Sequence, residues 1–124
     1  MDQIVVPRLF IPDVIKEVVL SNRPGVYVLG DNENGFVYRY VGRSDTCIRT
    51  RLLTHNYLYK YEYFIFRYVD NPKEAYYYES KWWHDCANMG INNKIHPDAP
   101  SGSRLVCPYC SFANNINRSF KFHI

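Results

Sequence analysis

G-V-Y-V-L-G-D-N-E-N-G-F-V-Y-R-Y-V-G-R-S, residues 25–44, decides the fold. Two short β-branched and aromatic runs, 25–30 and 36–41, flank the turn-forming cluster Asp31-Asn32-Glu33-Asn34-Gly35. That pattern predicts a β-hairpin. Each strand carries a tyrosine, Tyr27 and Tyr40, and arginines follow at Arg43 and Arg51. Tyrosines on rigid strands with arginines beside them would supply a proton acceptor and anion stabilisers at one phosphate, which is the expectation the rest of the chain has to meet.

Outward from the hairpin, the spacing predicts alternating helices and strands. Val14, Ile15, Val18 and Val19 mark one face of a short helix that begins at Pro12. After Gly42, with Ser44 or Thr46 as the cap, a helix is expected to about residue 56; Ile48, Leu52 and Leu53 face inward, and Arg51 and His55 share a face. Residues 60–69, K-Y-E-Y-F-I-F-R-Y-V, read as a strand buried on both faces. Asn71-Pro72-Lys73-Glu74 is a helix start, with an N-cap, a proline at the first helical position and a capping-box glutamate. That helix should run to about residue 88 and stop by Gly90. Along it, Ala75, Glu79, Trp82 and Cys86 fall at i, i+4, i+7 and i+11, one continuous stripe. A carboxylate in a core-like stripe is disfavoured unless it is paired or metal-bound. The fold class expected is α+β, a small three-stranded antiparallel sheet flanked by helices.

The 124 residues make one domain, with 47% hydrophobic residues and 12 tyrosines, which excludes a disordered tail. A net charge of +3 permits an anionic partner such as nucleic acid without demanding one. No apolar run approaches the ~20 residues of a membrane helix, and Met1-Asp2-Gln3 lacks a signal-peptide start. A soluble, cytoplasmic protein with no membrane partner is therefore expected. In that compartment the four cysteines are more naturally free, metal-bound or redox-active than disulfide-bonded.

Taken together, G-V-Y (25–27), Y-V-G (40–42), R-S (43–44), R-L-L-T-H (51–55) and A-Y-Y-Y-E (75–79) resemble the GIY-YIG nuclease family over residues 22–93. Valine stands for isoleucine in both tripeptides, and Arg51 follows Tyr40 one residue later than the family pattern, which a longer connecting loop absorbs. The resemblance implies an endonuclease that hydrolyses phosphodiester bonds in DNA. Glu79 would hold a divalent metal, Mg2+ or Mn2+, and Arg51 would stabilise the transition state. Arg43 would contact phosphate, Tyr27 would act as general base beside Tyr40, and His55 would orient water or phosphate. Asn92 or Asn93 would match a downstream asparagine of the family. The different-class alternative is a non-catalytic nucleic-acid-binding module on the same fold.

Residues 94–124 form a C-terminal extension holding C-P-Y-C at 107–110. A thiol oxidoreductase using Cys107 and Cys110 is disfavoured, because the pair follows a Pro/Gly/Ser loop rather than a strand. Structural zinc is preferred: Cys107 and Cys110 are half of a tetrahedral site, completed by Cys86 and His96, with His84 and His123 as alternatives. Such an ion would staple the extension to the Glu79 helix. Cys47 reads as a small buried residue. With little room for a recognition domain, substrate specificity would come from nucleic-acid structure, a homodimer or a partner protein.

Overall fold

The hairpin forms where its turn residues put it. The computed structural model describes residues 6–110. In it, β2 (Gly25–Asn32) and β3 (Phe36–Ser44) pair antiparallel from Gly25 opposite Ser44 to Asn32 opposite Phe36, with an irregularity between Leu29 and Gly30. The tight turn is possible because Asn34 and Gly35 take positive φ, 63° and 128°. Glu33 N–H donates to Gly35 C=O at 2.9 Å across it.

The remaining elements in chain order are β1 (Arg8–Leu9), α1 (Pro12–Val18), α2 (Ile48–Leu53), β4 (Tyr63–Tyr68) and α3 (Pro72–Cys86). The architecture is α+β, as expected, but the sheet has four strands rather than three, in the antiparallel order β1-β4-β2-β3. The added strand is β1, where Arg8 and Leu9 pair with Phe64 and Tyr63. Two residues are too few to show a period, so β1 had no signature of its own.

Side-chain alternation makes three layers. In β2, Tyr27 and Leu29 face a core shared with Phe10, Ile15, Ile48, Leu52 and Phe64, on the α1 and α2 side. Val26 and Val28 face the opposite core, with Val41, Ile65, Trp82, Cys86 and Ile91, on the α3 side. Residues 25–30 of β2 are consequently buried throughout.

The hairpin strands run longer than their patterns suggested, to Asn32 and Ser44, whereas β4, α2 and α3 run shorter. Strand β4 starts at Tyr63 because Lys60 and Tyr61 turn back, their N–H groups reaching Tyr57 C=O. Helix α2 starts at Ile48 because Ser44 Oγ accepts the Cys47 N–H at 3.0 Å and holds residues 45–47 in a turn. Helix α3 begins with the expected Asn71 cap, but Glu74 reaches back one residue further than a capping box, to Asp70 rather than Asn71. Asn71 Oδ1 accepts Glu74 N–H at 2.8 Å, and Glu74 Oε1 accepts Asp70 N–H at 3.1 Å. It ends at Cys86, with Gly90 at positive φ in the turn that follows. Among the described residues, no helix is long and apolar enough to cross a membrane.

Candidate active site

β3 is an edge strand, so side chains from helices on opposite faces of the sheet can meet around its outer side. They do so at its C-terminal end, in a cleft of about 380 Å³. The cleft is lined by Tyr40 and Arg43 from β3, Arg51 from α2, Glu79 from α3, and Asp45 and Asp98 from loops. The stripe on α3 explains how Glu79 arrives there. Ala75, Trp82 and Cys86 are fully buried, and Glu79, on the same stripe, is only 8% exposed. Three apolar residues anchor the helix face, and the fourth position falls at the cleft.

Arg43 answers the buried carboxylate. Its Nη1 donates to Glu79 Oε1 at 2.6 Å and to Asp98 C=O at 2.6 Å, and its Nε donates to Asp45 Oδ1 at 2.8 Å. One guanidinium thus holds three acceptors from three segments. Burial pushes the Glu79 carboxyl up to about 7, and Arg43 opposes the shift. Asp45 and Asp98 were not singled out from sequence. Asp45, two residues from Arg43, was within reach of local reasoning; a backbone carbonyl 55 residues from its donor had no sequence signal.

The two tyrosines divide between inside and outside. Tyr27 is 0% exposed, while Tyr40 is half-buried and lines the cleft. Their rings stack with centroids 6.4 Å apart. Arg51 Nε donates to Tyr27 Oη at 3.4 Å. Burial raises the Tyr27 hydroxyl well above its usual range, and Arg51 acts in the opposite sense. Tyr40 is also raised, again chiefly by burial.

His55 sits edge-on to both tyrosine rings, 5.5 Å from Tyr27 and 5.1 Å from Tyr40. Its Nδ1 accepts the Tyr57 N–H at 3.1 Å, which leaves the proton of the neutral ring on Nε2. Burial and the nearby Arg51 charge hold its pKa down to about 4. It shares a second hollow with Tyr40 and Arg51.

A second group, with metal-ligand character, brings His84 of α3 together with three residues from the segment beyond the helix. The donor atoms of His84, His96, Cys107 and Cys110 all fall within 4.8 Å of one another, so the cluster could hold a metal. His84 Nε2 is 3.3 Å from Cys110 Sγ and 3.7 Å from Cys107 Sγ. A tetrahedral zinc with bonds of about 2.0–2.3 Å spaces its donors roughly 3.3–3.8 Å apart. His96 is arranged as a ligand: Nδ1–H donates to Pro97 C=O at 2.6 Å, and Nε2 is buried without a hydrogen-bond partner.

The expected ligand set needs one correction. Cys86 is not in the cluster; it is fully buried with Val26, Val28, Ile65 and Trp82. His84 takes its place, because residues two apart on a helix point in widely different directions. Having placed Cys86 on the core stripe, the sequence already argued against it as a ligand. His123 lies outside the described residues.

Of the two downstream asparagines, neither lines the cleft. Asn93 clamps the open edge of β3: its Oδ1 accepts Val41 N–H at 3.1 Å and its Nδ2 donates to Val41 C=O at 2.6 Å. Asn92 adds a backbone bond to Arg39 C=O at 2.6 Å and a side-chain bond to Tyr61 Oη. Cys47 is half-buried rather than buried, and its sulfur accepts from Asn22 N–H and Thr50 Oγ1. No protein-family model, curated protein or solved structure matches the chain.

Proposed function

We propose that this protein is a metal-dependent endonuclease of the GIY-YIG type, hydrolysing phosphodiester bonds in DNA. One observation carries the proposal: Tyr40, Arg43, Arg51 and Glu79, drawn from three separate elements, line a single polar cleft with Tyr27 directly behind it. Attack on a phosphodiester adds charge to its non-bridging oxygens. Arg51, exposed at the cleft and donating to Tyr27, would meet that charge.

The residues also fit a hard dication. Magnesium keeps most of its waters and takes one or two protein carboxylates together with substrate oxygens. Glu79 would hold it, with Asp45 and Asp98 lining the same cleft. The ion would supply Lewis-acid charge at the phosphate. Binding it requires Glu79 ionised and at least partly released from Arg43, whose guanidinium then turns to phosphate. Tyr40, which lines the cleft, would face the attacking water, while the enclosed Tyr27 accepts a hydrogen bond from Arg51 and would brace that guanidinium and the Tyr40 ring from behind. His55, neutral at pH 7, wedges both tyrosine rings in place.

The Arg43–Glu79 pair also favours a second reading. A carboxylate already neutralised by an arginine suits a nucleic-acid-binding module without turnover. In the cysteine cluster, two thiolates with two imidazoles suit a structural zinc ion.

A cleavage panel separates these readings: single-stranded, duplex, flapped and junction substrates, in DNA and RNA, with and without magnesium. Magnesium-dependent cleavage lost in Glu79→Ala and Tyr27→Phe is the expected result. Cleavage that survives Glu79→Ala would remove that residue from the mechanism, and binding without cleavage on every substrate would leave the binding module.

A further inference from the structure

Helix α3 serves two places at once. Glu79 reaches the cleft, and His84, five residues on, reaches the cysteine cluster. A second link joins the same two places. The tripeptide His96-Pro97-Asp98 has a cluster nitrogen at one end and, at the other, the carbonyl that accepts from Arg43 Nη1 at 2.6 Å. That same nitrogen holds Glu79 at 2.6 Å. Residues 91–106 form no helix or strand, so no ladder of backbone bonds fixes where Asp98 lies. Two anchors at its ends do.

We infer that a metal ion bound by His84, His96, Cys107 and Cys110 fixes Asp98 against Arg43, and so controls the assembly of the cleft. Pro97 is the connecting piece. Its ring limits the backbone between ligand and carbonyl, and its own carbonyl accepts the His96 Nδ1–H that orients the ligand ring. Without the ion, His96 Nε2 and both thiols lose their common partner, residues 94–106 detach, and Arg43 keeps only Glu79 and Asp45. One wall of the cleft goes with Asp98. The cluster is therefore a positioning device for Arg43. This inference rests on the cleft being the functional site, but its principal readouts need no substrate.

The test uses the full chain loaded with zinc or cobalt. One ion per chain is expected, and the cobalt form should show thiolate-to-metal charge transfer with the band pattern of a tetrahedral site. Pro97→Gly keeps all four ligands and should retain the ion, yet hydrogen exchange at residues 43–45 and 94–100 should speed up relative to wild type. Cys107→Ser, or chelation, should abolish the cobalt bands and speed exchange in the same segments while β2 stays protected. Zinc returned to chelated wild-type protein should restore slow exchange. Absence of stoichiometric metal or of the thiolate bands would overturn the site. Bound metal with unchanged exchange at 43–45 in Pro97→Gly would overturn the coupling. Trp83 packs 5.2 Å from both His84 and His96, so its fluorescence should report loading and keep the test readable if Cys107→Ser misfolds. If loaded protein shows the coupling but cleaves nothing, the nuclease proposal fails by itself.

Discussion

Glu79 occupies a position where a charged carboxylate is disfavoured by burial and tolerated because Arg43 faces it. Replacing it with the isosteric amide removes the charge and keeps the shape. On the proposed nuclease function, Glu79→Gln should lower magnesium-dependent cleavage by roughly 100-fold or more, since a metal-assisted step would lose several kcal/mol of stabilisation. Thermal unfolding at pH 8 should show a melting temperature no lower than wild type, because Arg43 retains Asp45 and Asp98. A large drop in melting temperature would mean that the ion pair is mainly structural. Glu79 was legible in the sequence because an acidic residue interrupted an otherwise apolar helical stripe. Asp98 was not, because it contributes a carbonyl from an irregular loop, and any residue type offers one.

At the level of elements, strand β3 is useful because it is both an edge and a floor. Gly42 lies under the buried Tyr27 ring, and a Cβ there would run into Tyr27 Cζ and Oη. Tyr27 is packed on all sides, so its ring cannot swing away. Gly42→Ala should destabilise by about 1–3 kcal/mol, the usual cost of overpacking, and should displace the hydroxyl that Arg51 contacts. Urea unfolding and cleavage rates of the same variant check both effects. At the start of α3, Asn71→Ala should cost about 1 kcal/mol by removing the side-chain cap, with little effect on cleavage per folded molecule. The hairpin and α3 were legible because turn glycines, caps and periodicity agreed. β1 was not, since Arg8 and Leu9 are strand only by virtue of β4 beside them. The start of α2 falls later than its pattern for a related reason: Ser44 caps the turn before the helix rather than the helix itself.

Across the whole molecule, the site leaves an imprint on stability against pH, because buried Glu79 and half-buried His55 shift in ways that oppose each other. Glu79 titrates near 7 in the folded chain against 4.5 ordinarily, so between those values the native state holds a proton that the unfolded chain has released. Its contribution to stability therefore falls as pH rises from 4.5 to 7. His55 titrates near 4 against 6.5, so between those values the unfolded chain holds the extra proton. Its contribution falls as pH drops from 6.5 to 4. Over the shared range the two slopes have opposite signs, each at most about 1.4 kcal/mol per pH unit, and largely cancel in the wild type. Single variants should uncover them. His55→Gln should gain stability relative to wild type on acidification through 6.5 to 4.5. Glu79→Gln should lose it over the same range, and the double variant should track wild type. All four proteins keep the cysteine and histidine cluster, so its own pH response cancels in the differences. Denaturant titrations at half-unit steps of pH measure this directly. Parallel curves for all four proteins would show that neither group is buried in the protonation state the cleft geometry demands, and would leave Arg43 as an ordinary surface ion pair.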